Sequence, residues 1–232
     1  MLESKFLYLI INLGTIVVPF IFSFHPRLQF YKKWKYYFPA MLITAVVFIL
    51  WDEAFTIMEV WGFNKTYVTG IFIGSLPLEE VLFFFCIPYA CLFTYEAFKT
   101  LLTKPFKGGR IISIVLIVIS LAIAATNISQ WYTTTTFFGL ALVLAIDLIF
   151  EKGNDRALFF ATYLILLFPF FVVNGTLTGS FIKAPVVRYN DNENLGIRLG
   201  TIPVEDIFYG MLLVLISVMI AEALSKVRRI SS

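Results

Sequence analysis

Charge is scarce in this chain: Asp, Glu, Lys and Arg make up 14% of 232 residues, while 59% are hydrophobic. Soluble domains carry about 25% charged residues, so the composition excludes a soluble globular fold and leaves a bilayer as the natural solvent. Histidine is rarer still, with His25 alone, which argues against His-rich metal sites and His-based nucleophilic triads. Cysteine is limited to Cys86 and Cys91 in one apolar run. Their spacing neither closes a disulfide within a helix nor matches a metal motif. Gly-x-Gly-x-x-Gly and P-loop patterns are absent, so a flavin, nicotinamide or nucleotide held in those folds is not indicated. The last apolar run, 203–224, contains no Lys and hence no Schiff-base lysine for a retinal.

What the chain has in quantity is apolar length. A helix needs about 20 apolar residues to span the hydrocarbon core, and runs occur at 4–23, 36–51, 77–98, 110–126, 131–150, 157–174 and 203–224. The expected fold class is therefore all-α, a polytopic bundle of about seven transmembrane helices. The run at 36–51 is the shortest, although Tyr36, Tyr37 and Trp51 give it aromatic ends of the interfacial kind. The first run is flanked by Glu3 and Lys5 without a small-x-small cleavage site near Phe24, and reads as a retained helix. Aromatic residues reach 18%, with 26 Phe, a share that suits either a lipid-facing surface or an apolar cavity.

Basic residues orient the bundle. Arg27, Lys32, Lys33 and Lys35 follow the first run, Lys99, Lys104, Lys107 and Arg110 the third, and Lys226, Arg228 and Arg229 the last. These fall on one side if all seven runs span, which makes that side cytoplasmic and sets the N-terminus outside. The long connections 52–76 and 175–202 then lie on the outer side.

The most informative feature is a duplication: GSLPLEEVLFF at 74–84 is echoed by GTIPVEDIFYG at 200–210. A shift of 126 pairs Asn64 with Asn190, Gly70 with Gly196, Gly74 with Gly200, Pro77 with Pro203, Glu79 with Glu205, Glu80 with Asp206, and Glu96 with Glu222. It lays the first helix on the fifth, the second on the sixth and the third on the seventh, leaving the fourth as a linker. The division is 1–105 for the first three-helix repeat, 106–128 for the linker helix and 129–232 for the second repeat. A three-helix unit ends on the side opposite its start, so one extra crossing lets the second copy insert in the same sense. Parallel repeats are related by an axis along the membrane normal, which brings both acidic motifs to one face of the bilayer, at one shared site or at two remote ones.

In each motif Pro suits the first position of a helix, and the acid two residues on lies in the first turn, where the helix dipole favours it. On that pattern alone Glu79 and Glu205 are helix-start residues. Glu80 and Asp206 add a second acid to each copy, and acids at membrane depth are candidates for proton chemistry as well as for ion pathways. The catalytic candidates are therefore Glu79, Glu80, Glu205 and Asp206. Asp52 and Glu53 are secondary candidates from the outer connection. Asn64 and Asn190 recur in register, and as turn residues they suit loop support. Phe83, Phe84, Phe208 and Tyr209, about one turn beyond the acids, can stabilise a cation or simply pack.

These residues resemble the integral-membrane lycopene cyclases of the heterodimeric or fused type. The likeness rests on PLEE at 77–80, FN-x5-G at 63–70, NGTLTG at 174–179, VVRYN at 186–190, GIRLGTIPVED at 196–206 and IFYG at 207–210, the second block being the more specific. The resemblance implies cyclisation of the ends of lycopene to β-ionone rings by acid–base catalysis. It implies two small three-helix units acting together, no tightly bound organic cofactor and no metal. The implied partners are lycopene and other apolar polyenes, membrane lipid, and a second copy or other carotenoid-pathway enzymes, with no nucleic acid. Two rivals remain: a proton-coupled transporter, which also uses parallel repeats and paired acids, and another carotenoid end-group enzyme, a hydratase or prenyltransferase. The latter ranks lower for prenyl transfer, because no Asp-rich magnesium site is present.

Overall fold

A computed structural model describes residues 4–102, 106–150 and 156–230 of the chain. Glu3 and Lys104, used above to read the flanks, lie outside the described residues, as do the side chains of Arg228 and Arg229. Seven α-helices are present among the described residues: α1 (Leu7–Phe22), α2 (Trp34–Ile57), α3 (Leu78–Leu101), α4 (Gly109–Thr126), α5 (Trp131–Phe150), α6 (Ala157–Leu177) and α7 (Glu205–Ile230). Six of them, α2 to α7, are long and apolar enough to cross a membrane. The chain is thus an all-α helix bundle of the polytopic membrane kind.

The short member is α1 rather than α2. Its 16 residues span about 24 Å at 1.5 Å per residue, short of a hydrocarbon core about 30 Å thick. By contrast α2 has 24 residues. The apolar run that announced it stops at Trp51, because Asp52 and Glu53 follow. The helix continues because Asp52 turns into the interior, only 2% exposed, and Glu53 accepts hydrogen bonds from Ser75 N and Oγ. Prolines inside α1, α2, α3 and α6 (Pro19, Pro39, Pro88 and Pro169) are of the sort that packed membrane helices tolerate.

The two long connections carry six short strands, all at the end of the bundle where α3 and α7 begin. β2 (Phe72–Ile73) pairs with β3 (Leu76–Pro77), and β5 (Arg198–Leu199) with β6 (Ile202–Pro203). The two hairpins have one geometry: Phe72 faces Pro77 as Arg198 faces Pro203, each pair 126 apart from its counterpart. Pro77 and Pro203 therefore end a strand just before the helix, one residue ahead of α3 and two ahead of α7, rather than serving as the first helical residue expected of them. Pro77 is extended, at φ −66° and ψ 148°. Gly74 opens the first two-residue turn at φ +65°, and a Cβ there would sit 2.5 Å from the Glu53 carboxylate.

β1 (Trp61–Phe63) pairs antiparallel with β4 (Val187–Tyr189), Trp61 with Tyr189 and Phe63 with Val187. The flanking bonds are Asn64 N to Val186 O at 2.8 Å and Asn190 N to Val60 O at 2.9 Å. Each is the other shifted by 126, so the contact is self-complementary in the manner of a two-fold interface. Helix packing follows the same exchange: α1 packs on α3 as α5 packs on α7, and α2 on α7 as α6 on α3. α4 lies against α5 and is the least buried of the six long helices.

Candidate functional site

Adjacent residues on a helix point about 100° apart, so each pair of neighbouring acids splits. Glu79 and Glu205 turn toward the loops. Glu79 Oε1 accepts from Thr69 N at 2.7 Å, and its backbone carbonyl accepts from Asn12 Nδ2 at 2.7 Å. Glu205 Oε1 accepts from Leu195 N at 2.8 Å and from Thr133 Oγ1 at 2.7 Å. Positions 69 and 195 are again 126 apart, so both acids pin equivalent points of the two loops. Glu53 likewise holds its turn. Asn64 accepts from Thr66 N and donates to the Pro185 carbonyl, and Asn190 accepts from Asn192 N. These three residues support loops.

Glu80 and Asp206 turn inward instead, both buried, and line one cavity of about 270 Å³. Asp52 lines it too. Glu80 Oε2 accepts from the Tyr8 phenol at 2.7 Å. Asp206 Oδ1 accepts from the Tyr132 phenol at 2.6 Å, and its Oδ2 accepts from Tyr189 at 3.0 Å and Asn174 at 3.3 Å. No Lys, Arg or His is among the residues lining the cavity. Tyr189, in the connection outside the helices, has its phenol pushed well above the ordinary range by burial first and by Asp206 next; it keeps its proton and donates.

The cavity is a slot along α3. Glu80, Phe83, Phe84, Ile87, Cys91 and Thr94 line it and recur at helical spacing on one face, a run of roughly 20 Å at 1.5 Å per residue. α6 supplies the opposite wall, from Tyr163 to Leu177, and α7 adds Tyr209 and Gly210. Pro169 of α6 lines the slot and is itself exposed. Trp61, Tyr132 and Tyr209 close the acid end as an aromatic group, with ring centroids 5.1 to 6.2 Å apart.

Of the four aromatics expected near the acids, Phe83, Phe84 and Tyr209 line the cavity. Phe208 packs tilted against Phe137 of α5, ring centroids 4.7 Å apart, and is not among the lining residues. The phenols Tyr8, Tyr132 and Tyr189 were not anticipated. Tyr8 and Tyr132 serve equivalent acids but lie 124 apart rather than 126, so an ungapped shift passes over them; a two-residue gap before α2 and α6 reveals the pair.

The family model for lycopene cyclase matches residues 5–98 and 129–224. The chain belongs to the lycopene cyclase family. Membership gives it a carotenoid-cyclase-like enzymatic role, and the two matched stretches leave α4 between them. No curated protein and no solved structure matches the chain.

Proposed function

We propose that the chain is a lycopene β-cyclase of the two-repeat type. Two parallel three-helix units, 1–105 and 129–232, joined by the helix of 106–128, close around one end of the substrate. The observation that carries this reading is that Glu80 and Asp206, equivalent positions of the duplication, face a single apolar cavity that no cation lines. The pairing of β1 with β4, the exchanged helix contacts and the family match in two stretches all support the repeat. With α1 inserted as a seventh crossing, the N-terminus is outside and the acid end of the slot lies toward the outer face.

A carboxylic acid in the slot protonates the terminal alkene of lycopene. The tertiary cation is attacked by the neighbouring double bond, the ring closes, and a carboxylate removes a ring proton. Substrate and product are isomers, so the reaction itself calls for no redox cofactor. The cation needs a dry site with aromatic faces, each favourable contact contributing about 0.5 to 2 kcal/mol; Phe83, Phe84, Trp61 and Tyr209 supply such faces. At 270 Å³ the cavity stands at the lower edge of ligand pockets and suits one end group with part of the polyene. The slot runs along α3 from Glu80 to Thr94, an elongated shape that suits a rod-like hydrocarbon. Glu79 and Glu205, by fixing the loops above, orient the helix starts that carry the reacting acids.

The test is expression in a lycopene-accumulating bacterium with chromatography of the pigments. Conversion to β-carotene or its monocyclic precursor is expected. Unchanged lycopene in membranes that contain the protein would refute the reading.

A further inference from the structure

We infer that Asp52 and Glu80 form a proton-sharing pair that donates to the substrate, and that Asp206 is the base that takes the ring proton. This rests on the cyclase reading above and gives the proton its direction.

The two halves of the site differ at positions the duplication makes equivalent. Asp206 is met by three donors, Tyr132, Tyr189 and Asn174. Glu80 is met by one, Tyr8. In the first half the equivalents of Tyr189 and Asn174 are Phe63 and Phe48, so two donors are replaced by rings that cannot hydrogen-bond. A carboxyl surrounded by an amide N–H and two phenols is held as an acceptor.

Asp52 is the reverse case. Its equivalent in the second half is Thr178, whose hydroxyl is spent on the Asn174 carbonyl at 2.7 Å. Asp52 is 2% exposed, lines the cavity, and its Oδ2 has no hydrogen-bond partner. The Trp61 indole N–H stands near it, short of a well-formed bond. Glu80 lies within electrostatic range of both Asp52 and Asp206. Three buried anions without a cation cost far more than keeping one proton among them. Glu80 has a carboxyl on either side with which to share that proton, and it belongs on the side where donors are fewest, on Asp52 and Glu80 rather than on Asp206.

The step balances. Glu80 gives one proton to the alkene carbon, and the adjacent carbon becomes the cation. The neighbouring double bond supplies the electrons of the new ring bond. Asp206 takes one proton from a ring carbon, and that C–H electron pair becomes the ring double bond. Asp52 acts through Glu80 and is a positioning residue.

Membranes containing the protein are incubated with lycopene in deuterated water, and both product and recovered lycopene are weighed for deuterium. Wild-type protein is expected to give cyclised pigment with one deuterium per ring. Asp206→Asn still protonates, so its recovered lycopene or its products with a displaced double bond carry deuterium. Glu80→Gln and Asp52→Asn each lose about a hundredfold or more in rate and leave lycopene unlabelled. The double variant is no slower than either single one, as expected of groups that act as a unit. Each variant is first shown to elute as a single detergent-solubilised species, and Asp206→Glu retains cyclisation. Unlabelled lycopene from a folded Asp206→Asn, labelling by Glu80→Gln or Asp52→Asn, or multiplied losses in the double variant would overturn the assignment. A wild-type protein that forms no rings would instead overturn the cyclase reading.

Discussion

Three buried acids line the slot at one end of this bundle, three others are buried at the opposite end among the described residues, and the two groups are opposite in kind. Glu80 and Asp206 recur as Glu96 and Glu222 sixteen residues along α3 and α7, roughly 24 Å away at 1.5 Å per residue. At that far end each of the three buried acids among the described residues meets a cation. Arg156 binds Asp147 at 2.6 Å and Glu222 at 2.7 Å. Lys99 reaches Glu222 at 3.3 Å, Lys33 pairs with Glu96, and Tyr37 donates to Glu96 at 2.5 Å. At the near end Asp52, Glu80 and Asp206 have phenols, an amide and aromatic rings for neighbours, and no cation. Paired charge ties α3, α5, α6 and α7 together, whereas the acids of the slot have no cation among the residues that line it. A guanidinium or ammonium thus marks the acids that brace the far end, and its absence from the lining of the slot marks the acids to which we assign the chemistry.

The largest break in this comparison is Glu80→Gln, which keeps size and removes the proton. Cyclisation should fall by about 10² to 10⁴ while the thermal midpoint of the solubilised protein stays put. Pigment turnover and a melting curve on the same preparation check both halves of the statement. The converse is Arg156→Met, which strands Asp147 and Glu222 without their buried partner. A stability loss of about 3 to 5 kcal/mol is expected, with turnover per folded molecule unchanged within a factor of two or so, and adding Asp147→Leu should restore part of the loss. Denaturation in detergent, read alongside pigment assays, separates the two effects.

A smaller effect is expected of Tyr189→Phe. It removes one of three donors from the Asp206 carboxylate, worth about 1.5 kcal/mol for a bond to a charged group, and turnover should drop roughly tenfold without loss of folded protein. Gly74→Ala should be the mildest. The left-handed φ and the approach to Glu53 make it destabilising by about 1 kcal/mol, seen as a lower midpoint of thermal unfolding with the slot chemistry intact.

Much of the fold was legible from apolar length alone. The run at 131–150 coincides with α5, and 110–126 falls one residue short of α4. The apolar run for α2 stops at Trp51, six residues before the helix ends at Ile57, because a charged residue inside a membrane helix escapes any reading based on apolar runs when its partners come from distant sequence. Glu80 and Asp206 are legible because the duplication repeats them in register along with Glu79 and Glu205, but the division into inward and loop-binding pairs needs the helical turn between neighbours. Tyr8 and Tyr132 were hidden by the change of shift from 126 to 124, and Tyr189 and Asn174 because the first half has Phe63 and Phe48 in their places.

The contrast between the two ends can be read directly with a hydrophobic carbodiimide, which couples to carboxyls that hold a proton in an apolar setting. Peptide mass spectrometry of the treated protein should find the label on Asp52 or Glu80, with cyclisation lost in step and both slowed by excess lycopene. Label on Glu96, Asp147 or Glu222 in place of the slot acids, or full turnover by protein labelled in the slot, would contradict the account.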